Sequence, residues 1–277
     1  MTAVTETRVA APPGQLIVTV YGRYGRDRGG WLPVAALIDL LGLLGVDEPA
    51  VRSSISRLKR RGLLLPERRG GAAGYALTGD ALAILREGDE RIFRRGRAGV
   101  ADGWILAVFS VPESERHHRH VLRSRLTRLG FGTAAPGVWI APAHLREPTV
   151  AVLGELGLAG YVELFRADHL AFGDLAEKVR TWWDLDELRR HYADFLGTHG
   201  PLLRTWRRRR APRPAAAFAD YVRMLTDWRR LPYLDPGLPA ELLPADWIGA
   251  RAADLFFELR ERLEAEAAAH VADVVDS

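Results

Sequence analysis

The stretch DEPAVRSSISRLKRR, residues 47–61, gathers side chains that bind phosphates and read base edges. At about 100° per residue, Val51, Ile55 and Leu58 form one narrow apolar stripe. The opposite face centres on Ser53, Ser56, Arg57 and Arg60, with Arg52, Lys59 and Arg61 on its flanks. Hydroxyls and guanidiniums displayed together are what base-edge and phosphate contacts require. No acidic side chain follows Glu48 in this segment. A few residues on, Arg68 and Arg69 stand beside Gly70-Gly71, the composition of a basic loop over a nucleic-acid backbone or minor groove.

Other constellations carry less chemistry. His117 and His120 share a helical face beside His118, but no carboxylate or thiolate completes a metal set, so a surface helix is expected and no metal. Gly22, Gly25, Gly29 and Gly30 lack both the Gly-Lys-Ser/Thr of a phosphate loop and the dinucleotide spacing, which leaves turn glycines. There is no G-x-S-x-G, and cysteine is absent altogether, so no catalytic residue is assigned. Arg204 and Arg207–Arg210 surround Trp206. Three readings stay open for that cluster: DNA phosphates, the phosphates of a small ligand, or solvent and a partner helix. Trp182, Trp183, Trp228 and Trp247 read as core ahead of a ligand cage.

Around the first basic face the spacing predicts a module over residues 15–95. The run Leu16-Ile17-Val18 fits strand or helix equally. Pro33 suits a first helical turn ahead of Leu37, Leu40, Leu41 and Leu44, closed by Gly45. Asp47 is an N-cap and Gly62 a stop for the basic helix. LLLPERRGGAAGYALT reads as two short strands on a glycine turn, and Thr78 caps the helix after it. Helix, helix, helix, hairpin, helix is the order of a winged helix-turn-helix. A glycine-containing boundary spans Gly96–Asp102. Residues 102–172 then carry strands at WILAVF, GVWIAP and YVELF, with helices at 113–129 and around TVAVLGELGL. A ferredoxin-like βαββαβ domain fits best. From Asp174 to about 270 the pattern is helical, with a basic break at RTWRRRRAPRP. The final EAEAAAHVADVVDS is expected to fray, and residues 1–14 to form a loose tail. The expected class is thus an α+β multidomain protein.

Composition agrees with that division. The chain has 277 residues, 48% hydrophobic and 27% charged, a globular balance. Its longest apolar stretch is too short for a bilayer and no secretion signal opens it, so a soluble cytoplasmic protein without membrane partners is expected. Residues 1–100 hold 16 basic and 10 acidic side chains out of 39 and 35 overall. A basic first third on a faintly acidic remainder points to a polyanion partner for one module.

Taken together, the chain resembles the PaaX-type family of bacterial transcriptional regulators, the phenylacetic acid degradation repressors. The resemblance covers about residues 16–265. It rests on YGRYGRDRGGWLPVAALIDLLGLLGVDEPAVRSSISRLKRRGLL, GYALTGDA, WILAVFSVPESERHHRHVLRSRLTRLGFGTAAPGVWIAP and DWRRLPYLDPGLPAELLPADWIG. It implies a homodimeric repressor of aromatic-acid catabolic genes that binds a double-stranded operator and is released by an aryl-CoA thioester such as phenylacetyl-CoA. No other cofactor is implied. Arg204, Trp206, Arg207, Arg208 and Trp228 are then the candidates to hold that effector. The alternative is a winged-helix nucleic-acid-binding protein with no small-molecule effector. The central domain also resembles CRISPR-associated endonucleases of ferredoxin-like fold. Its first strand ends Phe109-Ser110-Val111-Pro112, without the metal-binding aspartate of those enzymes, so nuclease chemistry has no support.

Overall fold

Proline resolves the first ambiguity, because its fixed φ suits an opening helical turn. Pro13–Val20 is a helix, α1. The computed structural model describes residues 11–93, 97–170 and 172–277. Residues 1–10 of the expected tail, 94 and 95 of the expected first module, 96 of the boundary and 171 of the expected central domain lie outside them. After a π turn over Tyr21–Gly25 come β1 (Trp31–Pro33), α2 (Val34–Gly42), α3 (Glu48–Arg60), β2 (Leu64–Arg69), β3 (Ala72–Leu77) and α4 (Gly79–Phe93). Next are β4 (Trp104–Phe109), α5 (Arg116–Leu129), β5 (Gly132–Ala135), β6 (Val138–Pro142), α6 (Arg146–Glu155) and β7 (Val162–Ala167). The chain closes with α7 (Leu175–Trp182), α8 (Leu185–Arg208), α9 (Pro214–Trp228), α10 (Leu231–Leu234) and α11 (Gly249–Asp276).

These elements form two compact units. The first takes the described residues up to Phe93 together with Gly197–Arg229 and Asp254–Ser277. The second holds the described part of Arg94–Leu196 together with Arg230–Ala253. The helical stretch expected at 174–270 is therefore shared between them, with divisions inside α8, between α9 and α10, and inside α11.

In the first unit, β1, β3 and β2 make an antiparallel sheet in that order. β1 is three residues ending in proline, too short to leave a periodic signal. Gly70 and Gly71 join β2 to β3, both at positive φ, as a two-residue type I′ hairpin turn demands. The module is fastened to the C-terminal helices by buried and half-buried polar contacts. The hydroxyls of Thr19 on α1 and Thr226 on α9 meet at 2.7 Å. The Trp228 indole N–H donates to Ile92 O at 3.0 Å. Arg23 binds Glu264 on α11, with Nε to Oε1 at 2.8 Å. The tail expected to fray is helical through Asp276. Its Ala267 and Val271 are buried, and Arg28 holds Asp276 at 2.6 and 3.1 Å.

The second unit is built on a four-stranded antiparallel sheet of order β5-β6-β4-β7. Alternation along β4 sends Ile105 and Ala107 to one face, against Leu126 and Leu129 of α5 and Leu145. Trp104 and Ile140 on the other face meet Val179, Leu185, Leu238 and Leu242. Trp183 belongs to this packing, its indole N–H donating to Gly130 O at 2.9 Å. Asp184, whose carboxylate accepts from Glu187 N at 2.8 Å, separates α7 from α8 where the sequence suggests one continuous helix. Among the described residues no helix is long and apolar enough to cross a membrane.

Candidate nucleic-acid interface

The ends of α3 are fixed by local chemistry. The Asp47 carboxylate accepts from Ala50 N at 2.8 Å, an N-cap that satisfies one of the helix's free donors. At the other end Gly62, at φ +71°, lets Leu63 N reach Leu58 O and Gly62 N reach Lys59 O, both at 3.0 Å. That double closure stops the helix after four turns. Val51, Ile55 and Leu58 are buried and set the rotation of the helix. Arg52, Ser53, Ser56, Arg57, Lys59, Arg60 and Arg61 are all exposed as a result.

Their states differ. Ser56, Lys59, Arg60 and Arg61 have no side-chain partner among the described residues, so their donors are available. Arg52 lies along the helix on Glu48, 2.7 Å away. Arg57 is folded back, donating to Ser53 Oγ at 2.8 Å and Ser54 Oγ at 2.7 Å. Ser54 is buried and went unassigned in the sequence, because a lone serine on the edge of an apolar stripe carries no signal of its own. On the hairpin, Arg68 donates to Gly71 O at 2.7 Å across the turn. Arg69 binds Glu67 at 2.7 Å and lies over the Trp31 ring, 5.4 Å from its centre. The α3 face and the hairpin arginines belong to the same unit, and both are open to solvent.

The second candidate cluster is of another kind. Trp206 is buried and its indole N–H donates to Asp220 at 2.9 Å. Trp228 is buried too, stacked on Phe256 at 4.5 Å. Asp220 and Trp228 are eight residues apart on α9, about 12 Å of helix rise, and each indole is held by its own partner. Arg207 is engaged by Glu258 at 2.7 and 2.5 Å. That hydrogen bond raises the arginine's pKa and lowers the carboxyl's. Arg204 and Arg208 are exposed, and Arg209 covers the Trp206 ring at 4.2 Å. A separate apolar cleft lies in the same unit, lined by Ile17, Tyr21, Leu58, Leu64, Leu77 and Leu85 among others.

Among the described residues no group of three histidines or carboxylates is placed to hold a metal ion. His118 instead packs on Tyr161, ring centres 5.0 Å apart. Within the first unit, a cationic, hydroxyl-bearing helix face is thus exposed together with a basic hairpin.

Comparison with known proteins gives the family. Residues 13–81 match the PaaX-like protein family, 97–179 the PaaX protein central Cas2-like domain, and 183–273 the PaaX-like protein C-terminal domain. The chain belongs to the PaaX family, which is a family of transcriptional regulators and not of enzymes. It is 29% identical over 265 residues to the transcriptional repressor PaaX of Escherichia coli (strain K12), covering 93% of this chain and 82% of that protein. It also resembles the solved structure of the uncharacterized protein Rv0674 from Mycobacterium tuberculosis, at 24% identity and a TM-score of 0.61. That match covers 93% of this chain and 99% of the other, and it speaks to the fold alone.

Proposed function

We propose that the protein is a transcriptional repressor whose residues 15–95 act as a winged helix-turn-helix. In this reading α3 enters the major groove and the β2–β3 hairpin is the wing. The observation that carries it is the exposed cationic face of α3 opposite a buried Val51-Ile55-Leu58 stripe. On that face Lys59, Arg60 and Arg61 have no partner among the described residues, and Arg57 would turn away from Ser53 and Ser54 to reach a base. Arg57 and Arg60 read base edges with Ser53 and Ser56; Arg52, Lys59, Arg61, Arg68 and Arg69 hold phosphates. The order β5-β6-β4-β7 supports reading residues 102–172 as a ferredoxin-like domain, with the helices of 174–270 completing both units.

The protein acts as a homodimer on a roughly palindromic operator, since one such helix offers too little surface for tight specific binding. Its likeness to a PaaX repressor supports control of aromatic-acid catabolism and release by an aryl-CoA thioester. For the effector, Arg204 and Arg208, like Arg210 beside them, are guanidiniums of the second cluster with no partner among the described residues. Arg207, Trp206 and Trp228 would have to give up their present contacts to take part. Release requires tighter ligand binding to the DNA-incompetent arrangement.

The test is a gel shift on the DNA upstream of the protein's own coding sequence, with a panel of acyl-CoA thioesters. A specific shift weakened about five- to 150-fold by an aryl-CoA is expected. A shift that no thioester alters removes the effector and leaves the repressor. Light scattering that finds only monomer, with one protein per operator, removes the dimer.

A further inference from the structure

The helix α5 (Arg116–Leu129) reads RHHRHVLRSRLTRL, with five arginines, three histidines and no acidic residue. Beyond residue 100 the chain holds 23 basic and 25 acidic side chains, so α5 is a cationic island on an otherwise faintly acidic body. Leu122, Leu126 and Leu129 are buried. At about 100° per residue this turns Arg116, His117, His120, Arg123, Ser124, Thr127 and Arg128 outward together, and all seven are exposed.

A helix face that serves only solubility mixes signs, because opposite charges three and four residues apart support the helix and like charges oppose it. Here Arg116 and Arg119, Arg119 and Arg123, and Arg125 and Arg128 are like-charged neighbours at those spacings. The nearby acids are already engaged: Glu113 lies 3.4 Å from Arg119, and Glu115 accepts from the Tyr161 hydroxyl at 2.6 Å. Arg116, Arg123 and Arg128 have no partner among the described residues. Arginines that oppose one another in the free protein gain most from a polyanion. Their planar guanidinium donors suit phosphate oxygens. Arg116 and Arg128 are twelve residues apart, about 18 Å along the axis. That length spans about five nucleotides of a duplex strand, more than a single nucleotide ligand offers.

We infer that the exposed face of α5 is a second, sequence-independent binding surface for the phosphate backbone of duplex DNA. It rests on the repressor reading above and adds a contact that α3 and the hairpin do not supply. Arg116, Arg123 and Arg128 each neutralise a phosphate. Ser124 adds a hydroxyl donor on the same face, while the Thr127 hydroxyl is spent on Arg123 O at 2.9 Å.

The test uses the full chain and a 40-base-pair duplex of random sequence, with affinity followed by fluorescence anisotropy between 50 and 200 mM salt. The variant is R116Q/R123Q/R128Q, since glutamine keeps helix propensity while removing charge. The control is R180Q/R190Q/R251Q, three exposed arginines off this face, which lowers net charge equally. Circular dichroism verifies that both fold. Three lost phosphate contacts should flatten the log–log salt slope by about 2.7, making the fall in affinity over that salt range roughly 40-fold smaller. The control should keep the parent slope. Equal slopes for parent and α5 variant overturn the inference, as does an equal flattening by the control. An Arg60→Ala variant that loses operator preference, beside an α5 variant with the parent slope, would sink this surface and keep the repressor. A parent chain that binds no duplex at all removes both.

Discussion

Arginine does two different jobs in the first unit, and α3 against the α1–α9–α11 seam shows what separates them. On α3, Arg60 and Arg61 stand in solvent with no partner among the described residues. Along the seam, Arg23 meets Glu264 and Arg28 meets Asp276, while on α4 Asp89 takes both ends of the Arg26 guanidinium. For Arg23 burial alone would lower the pKa, but Glu264 outweighs it and leaves it raised. The same residue type stands open to solvent where the neighbouring carboxylates are missing, and is a fastening where they are present. Counting arginines therefore says little, whereas their pairing assigns them.

If the seam is structural and the α3 face is free, substitutions should divide along that line. The largest effect is expected from Phe256→Ala. Its ring is fully buried, stacked on Trp228 and near Phe93, so truncation should cost about 3–5 kcal/mol in a urea titration. A loss below about 1 kcal/mol would show that the seam is not a packed core.

Alkali should come next. Burial raises the Tyr21 and Tyr24 hydroxyls well above their ordinary range, and Tyr221 to about 12, with Glu264 adding to the effect. In the unfolded chain tyrosine ionises near 10. Folded groups with raised pKa contribute stability fully present below pH 10 and lost as pH climbs through the folded values. Three such groups predict a loss of about 3 kcal/mol between pH 10 and 11. Tyrosinate absorbance for these residues should appear only with unfolding. Ionisation of all the tyrosines near pH 10 with the fold retained would contradict the buried seam.

Smaller changes probe the open side. Arg68→Ala on the hairpin should leave stability within about 0.5 kcal/mol. It should weaken operator and random DNA alike and lower the salt slope by about 0.9. Selective loss at the operator would make Arg68 a base reader instead. Smallest of all, Arg207→Ala removes an exposed ion pair with Glu258 and should leave the urea midpoint essentially where it was. Its effect on thioester binding separates an effector ligand from a fastening.

Much of α3 was legible in advance, because a three-residue apolar stripe, an N-cap aspartate and a stop glycine are all local signals. The central strands could be read from short apolar runs, apart from β5, whose Gly-Thr-Ala-Ala carries neither β-branched density nor alternation. The seam was not legible. Thr19 meets Thr226 across 207 residues of sequence, and no periodicity within either helix announces such a partner. Trp206 and Trp228 likewise look the same in sequence whether they line a ligand or fill a core. Only the bonds to Asp220 and Ile92 O tell. Val271 and Arg28 explain why the last turns hold where composition alone suggests a loose end.

The most direct measurement of the central claim compares operator binding by the parent chain and an Arg57→Ala/Arg60→Ala variant. The duplex covers the DNA upstream of the protein's own coding sequence, and the fold is checked by circular dichroism. Each lost base contact should weaken binding by about 1–3 kcal/mol, so the account predicts at least a tenfold loss of specific affinity, with the melting curve unchanged. A folded double variant that binds that DNA as tightly as the parent would contradict the assignment of α3.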